Sequence, residues 1–480
     1  MRNRILDNEH LQPRRELNVF DAVCIIVGII IGAGIFKTTP FIASMSNNWM
    51  WLIGGWCVGG FIAICGALCY AELATAYPRE GGDYVYLKEG FGLPFATMFA
   101  WLLFWIIRPA ATGPMALLFG DYMHSVYPLA ENVQLSTTLY ATLAIVAITV
   151  INIAGLQAGK WTQNILSTIK VLALLTIVGI AFLGPQEAMP FETTARLEDP
   201  FGAFLVALVL IMFTYGGWSD LSFISSEIKN PNQNILRSLM IGVGAVIGIY
   251  LLINFAFLQV LGHEGLANSS IPASMIVEKQ AGANMAKVVS LLISLSALGA
   301  IHGMIFTGSR VAYAVGKHTQ GFHWLNSWNT KLNVPVRAVL AQSFPILMLV
   351  GCFGMMKADG GSGPVDGFTL LALFSSPFFL TFSLSVAVVF FVLRERDKET
   401  ARPYRTPGYP IVPGIFLVAM AFMLYRSITY FVGEVQSKDL MSSSYFVAVL
   451  GYTAVMIICG LIIALQREKS PMSADEVPGE

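Results

Sequence analysis

Charge is what this chain has least of. Only 12% of its 480 residues are Asp, Glu, Lys or Arg, whereas a soluble domain carries about a quarter. That shortage, with 55% apolar residues and a mean hydropathy of +0.66, excludes an ordinary water-soluble globule. Neither sign is in excess, with 29 basic and 29 acidic residues, so nothing points to a nucleic-acid partner. Cysteine and histidine are scarce too, at six each. Cys24, Cys57, Cys65, Cys69, Cys352 and Cys459 all fall in apolar runs without ligand spacing to histidine, which argues against a metal site. They are expected to be buried free thiols that act as small packing residues. No HExxH or GxSxG motif occurs, so an intramembrane enzyme is disfavoured and no cofactor is expected. The polar first 17 residues, with Arg2, Arg4, Arg14 and Arg15, have no apolar core, and no cleaved signal peptide is expected.

What the chain does have is long apolar runs. Counting stretches of roughly 20 residues predicts an all-α integral membrane protein with twelve transmembrane helices. Their limits are near 19–46, 50–76, 91–127, 136–156, 162–184, 198–228, 235–262, 283–318, 335–357, 366–394, 410–432 and 443–466. Basic residues concentrate in loops on the side of both termini, nineteen in number, among them Arg79, Lys88, Lys160, Lys229, Arg394 and Arg402. The opposite side holds five: Arg196, Lys279, Lys287, Lys357 and Lys438. Both tails, 1–18 and 467–480, are therefore expected in the cytoplasm.

Two of the runs are interrupted by glycine. The first contains GIIIGAGIF at 28–36, and each glycine weakens a helix by about 1 kcal/mol. Broken backbone at membrane depth is tolerated only where it is buried in protein or lines a cavity. Close helix packing is the other use of such small residues. The sixth run contains FTYGGWSD at 213–220, where Gly216–Gly217 is again an expected break. Interrupted spans at matching places in two halves are the best sequence pointer to a transporter's binding site. The pairing predicts five-helix repeats over 19–184 and 198–394, followed by two further helices over 410–466.

At these residues the chain resembles the amino acid–polyamine–organocation superfamily, through GIIIGAGIF and YAELATAYPREGGDYVYLKEGFG at 70–92. IIRPAATGPMALLFGDYM at 106–123 and FTYGGWSDLSFISSEIKNP at 213–231 narrow the match to the L-type, or light-chain, amino acid transporters. GSRVAYAVGKHTQGF at 308–322 matches the wider superfamily; beyond span ten only RPYRTPGYP at 402–410 and hydropathy do. The resemblance implies a LeuT-type 5+5 inverted repeat with helices 1 and 6 broken, and sodium-independent exchange of amino acids across the plasma or inner membrane.

Residue by residue, Gly32, Ala33 and Gly34 would open the second half of helix 1, where free N–H groups and the helix dipole suit an α-carboxylate. The family's carboxylate site lies on this motif, although Ala33 stands where a serine is often found. Carbonyls of Ile30 and Ile31 would accept from the substrate ammonium. Phe213, Thr214 and Tyr215 end the first half of span six. The resemblance gives Phe213 a carbonyl for the ammonium and a shielding ring, though a plain packing aromatic is the alternative. Gly216 and Gly217 would leave room for a substrate side chain, and Trp218 reads as packing beside the break.

Lys170 stands inside span five, where a lysine costs about 3 kcal/mol unless it snorkels or is paired. The resemblance has its ammonium bridge to span-one carbonyls in place of a metal cation. Tyr250 and Asn254, four apart, share one helical face and match a family pattern expected to link span seven to span one. Ordinary interhelical bonding is an equal reading for Asn254. Arg108 needs an intramembrane partner and reads as structural or gate-forming. Glu227 and Arg310 read as solvated helix ends, with an inner-gate ion pair as the alternative. Phe379 and Leu380 fall where relatives tune side-chain preference. The loop near Tyr127–Ser136 has no cysteine, so no disulfide-linked ancillary subunit is expected, as in a prokaryotic-type member.

No acidic residue is expected to face the pocket, which favours neutral L-amino acids. The alternatives are a proton-coupled or cationic amino acid/polyamine antiporter, and, from another class, a receptor that binds an amino acid without moving it.

Overall fold

The computed structural model describes residues 13–32, 34–184, 199–269, 272–354, 367–436 and 444–465. Among them there are helices and no strands beyond two isolated bridges, as hydrocarbon demands of a spanning backbone that is not a closed barrel. Ala33 lies outside the described residues, as do the tail 1–12, the tail 466–480 and the linker 185–198.

The first apolar run is two helices, α1 (Val19–Ile30) and α2 (Gly34–Ser44), bent by 41°. Asn18 starts α1 with a reciprocal cap: its side chain accepts from Asp21 N–H at 2.9 Å, and the Asp21 carboxylate accepts from Asn18 N–H at 3.0 Å. Then follow α3 (Trp49–Ala76) and a short α4 (Asp83–Phe91) that lies between spans. The third run is α5 (Leu93–Leu102), a π-helical turn at Leu103–Ile107 and α6 (Arg108–Val126). After it come α7 (Val133–Ile153) and α8 (Leu156–Leu183). The sixth run is α9 (Pro200–Tyr215) and α10 (Asp220–Phe223), separated by a turn through the glycine pair. Gly217 takes φ 116°, open to glycine and strained for any other residue.

The remainder comprises α11 (Pro231–Ala267), α12 (Pro272–Ala281), α13 (Ala283–His318), α14 (Val336–Gly354), α15 (Gly367–Arg396), α16 (Ile411–Gln436) and α17 (Ser444–Leu465). Among the described residues nine helices are long and apolar enough to cross a membrane, or ten with α1 and α2 as one bent span. Val336–Cys352 and Leu450–Leu465 are shorter apolar helices. The chain is a multi-pass membrane protein.

The broken run sits at the centre, with α1 packed on α8, α11 and α13, and α2 on α9 and α11. Outward faces carry apolar side chains such as Leu143, Val150, Leu172 and Leu175, as a lipid-facing surface requires. Of the cysteines only Cys24, Cys65 and Cys69 are buried; Cys57 and Cys352 are exposed and Cys459 is half-buried. The expectation of six buried thiols is thus corrected: an apolar run in a bundle has a lipid face as well as a core face, and hydropathy does not distinguish them.

Glu227 and Arg310 are not solvated ends. Both side chains are fully buried, joined by two hydrogen bonds, Arg310 Nε to Glu227 Oε1 at 2.7 Å and Nη2 to Oε2 at 3.1 Å. The Arg310 guanidinium also lies 3.8 Å from the Phe306 ring centroid. The backbone carbonyl of Glu227 accepts from the N–H groups of Glu16 and Leu17 at 2.9 and 3.0 Å. The pair therefore ties α13 to the segment before α1. Removing one member leaves a buried charge without its partner, at a cost of about 3–5 kcal/mol. Arg310→Ala is therefore expected to be strongly destabilised in detergent thermal unfolding, more so than the double change Arg310→Leu with Glu227→Leu.

Candidate functional site

Both breaks face one cavity, whose empty space, counted out to its open mouth, is about 920 Å³. The breaks contribute Ile29, Ile30, Gly34, Phe213, Thr214, Gly216 and Gly217. Ile31, Gly32 and Tyr215, expected in the site, do not line it. Tyr215 points away: its hydroxyl donates to the Trp56 carbonyl at 3.2 Å, and its ring packs 5.6 Å from Trp56 and 5.2 Å from Tyr250. A helix end presents side chains around its whole circumference, and nothing in FTYGG says which one faces inward.

The peptide groups freed by the first break are held by side chains. Lys170 is buried at 1% exposure, so it does not snorkel. Its ammonium donates to Gly28 O at 2.7 Å and to Ile31 O. It ends a polar stripe on α8. Ser167 Oγ donates to Cys24 O at 2.7 Å, and Gln163 Nε2 to the same carbonyl at 3.3 Å. Gln163 Oε1 also lies 2.7 Å from His302 Nδ1 on α13. Positions 163, 167 and 170 fall on one helical face. That spacing is visible in the sequence and is the signal for a polar seam, of which Lys170 is the most conspicuous member.

Glycine has both of its expected uses here. A Cβ on Gly28 would meet Gln163 Nε2 at 1.8 Å, so this glycine permits the close approach of α1 and α8. Gly32 and Gly34 border the break itself.

Tyr250 joins the two breaks. Its hydroxyl lies 2.9 Å from Ile30 O and 3.4 Å from Thr214 O. Ile30 O also accepts from Gly32 N–H at 2.9 Å. Asn254 does not take part: its amide donates to Tyr250 O, one turn back on its own helix, at 2.7 Å. Among the described residues no hydrogen bond joins Asn254 to span one. Thr38 adds a second tie, its hydroxyl 3.1 Å from that of Thr214.

The cavity also contains charge, against expectation. Asp83, Arg108 and Asp220 all line it. Arg108, which needed a partner, pairs with Asp220 Oδ1. The same oxygen accepts from Thr307 Oγ1 at 2.5 Å. The π turn at Leu103–Ile107 immediately precedes Arg108, as such turns often do at functional sites. Asp83 and Asp220 stand in GGDY and GGWSD, motifs already singled out; no reading along one helix could show that α4 and α10 converge on α6. Apart from Ser219 and Ser383 the rest of the wall is apolar, with Phe99, Met115, Met304, Phe379 and Phe382 among it. Phe379 lines the cavity and Leu380 does not. Trp218 packs behind the second break, its ring 4.9 Å from Tyr70 and 5.9 Å from Phe416.

A central cavity between interrupted membrane helices, bordered by peptide groups and lined by aromatics, is the arrangement of a membrane transporter of small molecules. A family model for amino acid permeases matches residues 17–468, and the chain belongs to this family, within the amino acid–polyamine–organocation superfamily. It is an amino acid transporter and not an enzyme. It is 27% identical over 419 residues to the b(0,+)-type amino acid transporter 1 of Mus musculus, covering 86% of this chain and 83% of that one. It is 28% identical over 423 residues to the large neutral amino acids transporter small subunit 2 of Homo sapiens, covering 86% and 76%. With the cystine/glutamate transporter of Homo sapiens it shares 29% over 424 residues, covering 88% and 81%.

Tyr250→Phe removes the hydroxyl that reaches both breaks and nothing else. It is expected to cost about 1 kcal/mol of stability, read by thermal unfolding, and to slow amino acid uptake into proteoliposomes. Asn254→Ala is expected to leave the uptake rate within twofold.

Proposed function

We propose that the protein exchanges neutral L-amino acids across the cell membrane by alternating access, without sodium. The observation that carries this is the Lys170 ammonium on the carbonyls of Gly28 and Ile31. A covalently attached cation fixed at the first break takes the place a coupling sodium ion would hold. In this reading the α-carboxylate sits at the N-terminus of α2, at the cavity-lining Gly34, where the helix dipole favours an anion; Gly32 N–H is already given to Ile30 O, and Ala33 lies outside the described residues. The ammonium approaches the carbonyls of Ile30 and Phe213 from the cavity, with Tyr250 also on the first of them, while the carbonyl of Ile31 is taken by Lys170. Thr214, Gly216 and Gly217 shape the space beside the side chain, and Tyr215 supports it from the second layer.

The apolar wall of Phe99, Met115, Met304 and Phe379 supports substrates with uncharged side chains. The two shorter apolar helices then complete twelve spans, arranged as LeuT-type repeats over 19–184 and 198–394 with both termini cytoplasmic. The loop between α6 and α7 has no cysteine, so the carrier works without a disulfide-linked subunit. A second reading, a cationic amino acid or polyamine antiporter, has Asp83 in its favour.

Proteoliposomes loaded with unlabelled alanine, serine or leucine are expected to take up the labelled amino acid without sodium, faster than empty vesicles. Absence of trans-stimulation by any neutral amino acid refutes the exchange reading, and competition by arginine or putrescine favours the second. Lys170→Ala is expected to lower turnover by tenfold or more while binding changes less; unaltered exchange removes the lysine from the mechanism.

A further inference from the structure

Of the three charged side chains that line the cavity, two answer each other and one does not. Arg108 and Asp220 form an ion pair, with Thr307 as a further donor to the carboxylate. Asp83 has no ion pair among the described residues, and its Oδ1 has no hydrogen-bond partner although the residue is only 7% exposed. A buried carboxylate without a counter-charge is costly, and the usual resolution is to bind a proton.

The groups that face Asp83 come from three further elements. Tyr70 of α3 hydrogen-bonds to it, Tyr86 lies one turn along on α4, and Arg108 and Asp220 act on it from α6 and α10. Burial pushes its carboxyl up to about 8; the Tyr70 hydrogen bond and the Arg108 charge oppose the rise, and Asp220 adds to it. The turn that carries Asp83 is tightly packed. Gly82, at φ 42°, abuts α10 so closely that a Cβ there would meet Ser222 Oγ at 2.1 Å and Phe223 Cδ1 at 2.6 Å. Gly81 N–H donates to Phe223 O at 3.1 Å.

We infer that Asp83 is a proton-binding residue of the transport cavity, and that the carrier turns over only while this carboxyl is neutral. The proton comes from the water that enters with the substrate and returns to it when the cavity next opens, so no other reactant is needed. A proton fits this wall better than a cationic side chain does. A guanidinium or ammonium group arriving at Asp83 would meet Arg108 at the same wall, whereas a proton removes the excess negative charge without bringing a like charge to the arginine. The inference rests on the exchange reading and adds to it the species that sets its pH dependence.

The test is alanine exchange in proteoliposomes held at one pH on both faces. Below the titration of Asp83 the carboxyl is neutral and exchange is fast. Above it the group ionises, so the wild-type rate is expected to fall about tenfold between about pH 6.5 and about pH 9. Asp83→Asn, permanently neutral, is expected to flatten the profile, and Asp83→Glu to restore a fall with a displaced midpoint. Should the asparagine variant not fold, the glutamate variant decides alone: a displaced midpoint supports the proton, an unmoved one overturns it. Wild-type exchange with no pH dependence, or the same fall in Asp83→Asn, also overturns it. So does an unchanged profile in Asp83→Asn together with loss of competition by arginine, which makes Asp83 an anchor for cationic side chains. Absence of exchange at every pH with alanine, serine and leucine alike, by contrast, refutes the exchange reading and the proton's role with it.

Discussion

A peptide group in hydrocarbon has no partner except the chain itself, and this protein is arranged around that constraint. Interrupting a helix at Ile30–Gly34 releases carbonyls in the middle of the bundle. Lys170 takes Gly28 O and Ile31 O, and Tyr250 takes Ile30 O. Each holder is itself a group that would be costly to bury alone, so the break and the polar side chains make one another tolerable. A buried lysine and an unwound helix are each a liability; together they are a satisfied unit.

The second break is handled differently. Gly216 N–H returns to Phe213 O at 3.1 Å, and Asp220 N–H returns to Gly217 O at 3.1 Å. The turn thus closes largely on itself, made possible by the positive φ of Gly217. Its side chains are free for other work: Asp220 for Arg108, Phe213 and Thr214 for the cavity. One break is supported from outside and the other largely from within, and Tyr250 and the Thr38–Thr214 contact tie the two together.

Much of the fold was legible in the sequence because hydropathy and glycine report directly on it. Apolar runs located the spans, and GIIIGAGIF and FTYGGWSD located the interruptions. Lys170 stood out because lysine is rare at such depth. What stayed hidden depends on convergence in three dimensions. Asp83 and Asp220 lie 137 positions apart and reach one cavity because the Gly81–Gly82 turn before α4 packs against α10. The inward or outward aim of Tyr215, Leu380 and Cys57 was hidden for another reason: in an all-apolar helix no polar stripe marks the water side. The Glu227–Arg310 pair is not legible in the sequence because helix ends are usually wet, and here the segment before α1 packs on Glu227.

The π turn at Leu103–Ile107 carries a longer implication. Such a turn accommodates one more residue than the α-helix around it, and one residue corresponds to about 100° of rotation. Everything beyond it on this span, from Arg108 to Val126, is therefore dialled to its present azimuth by that single surplus position. Excising one amino acid there would preserve the span's composition and its hydropathy, yet rotate the guanidinium off Asp220 and towards a neighbouring helix. Length, more than identity, is the heritable quantity at this point in the chain.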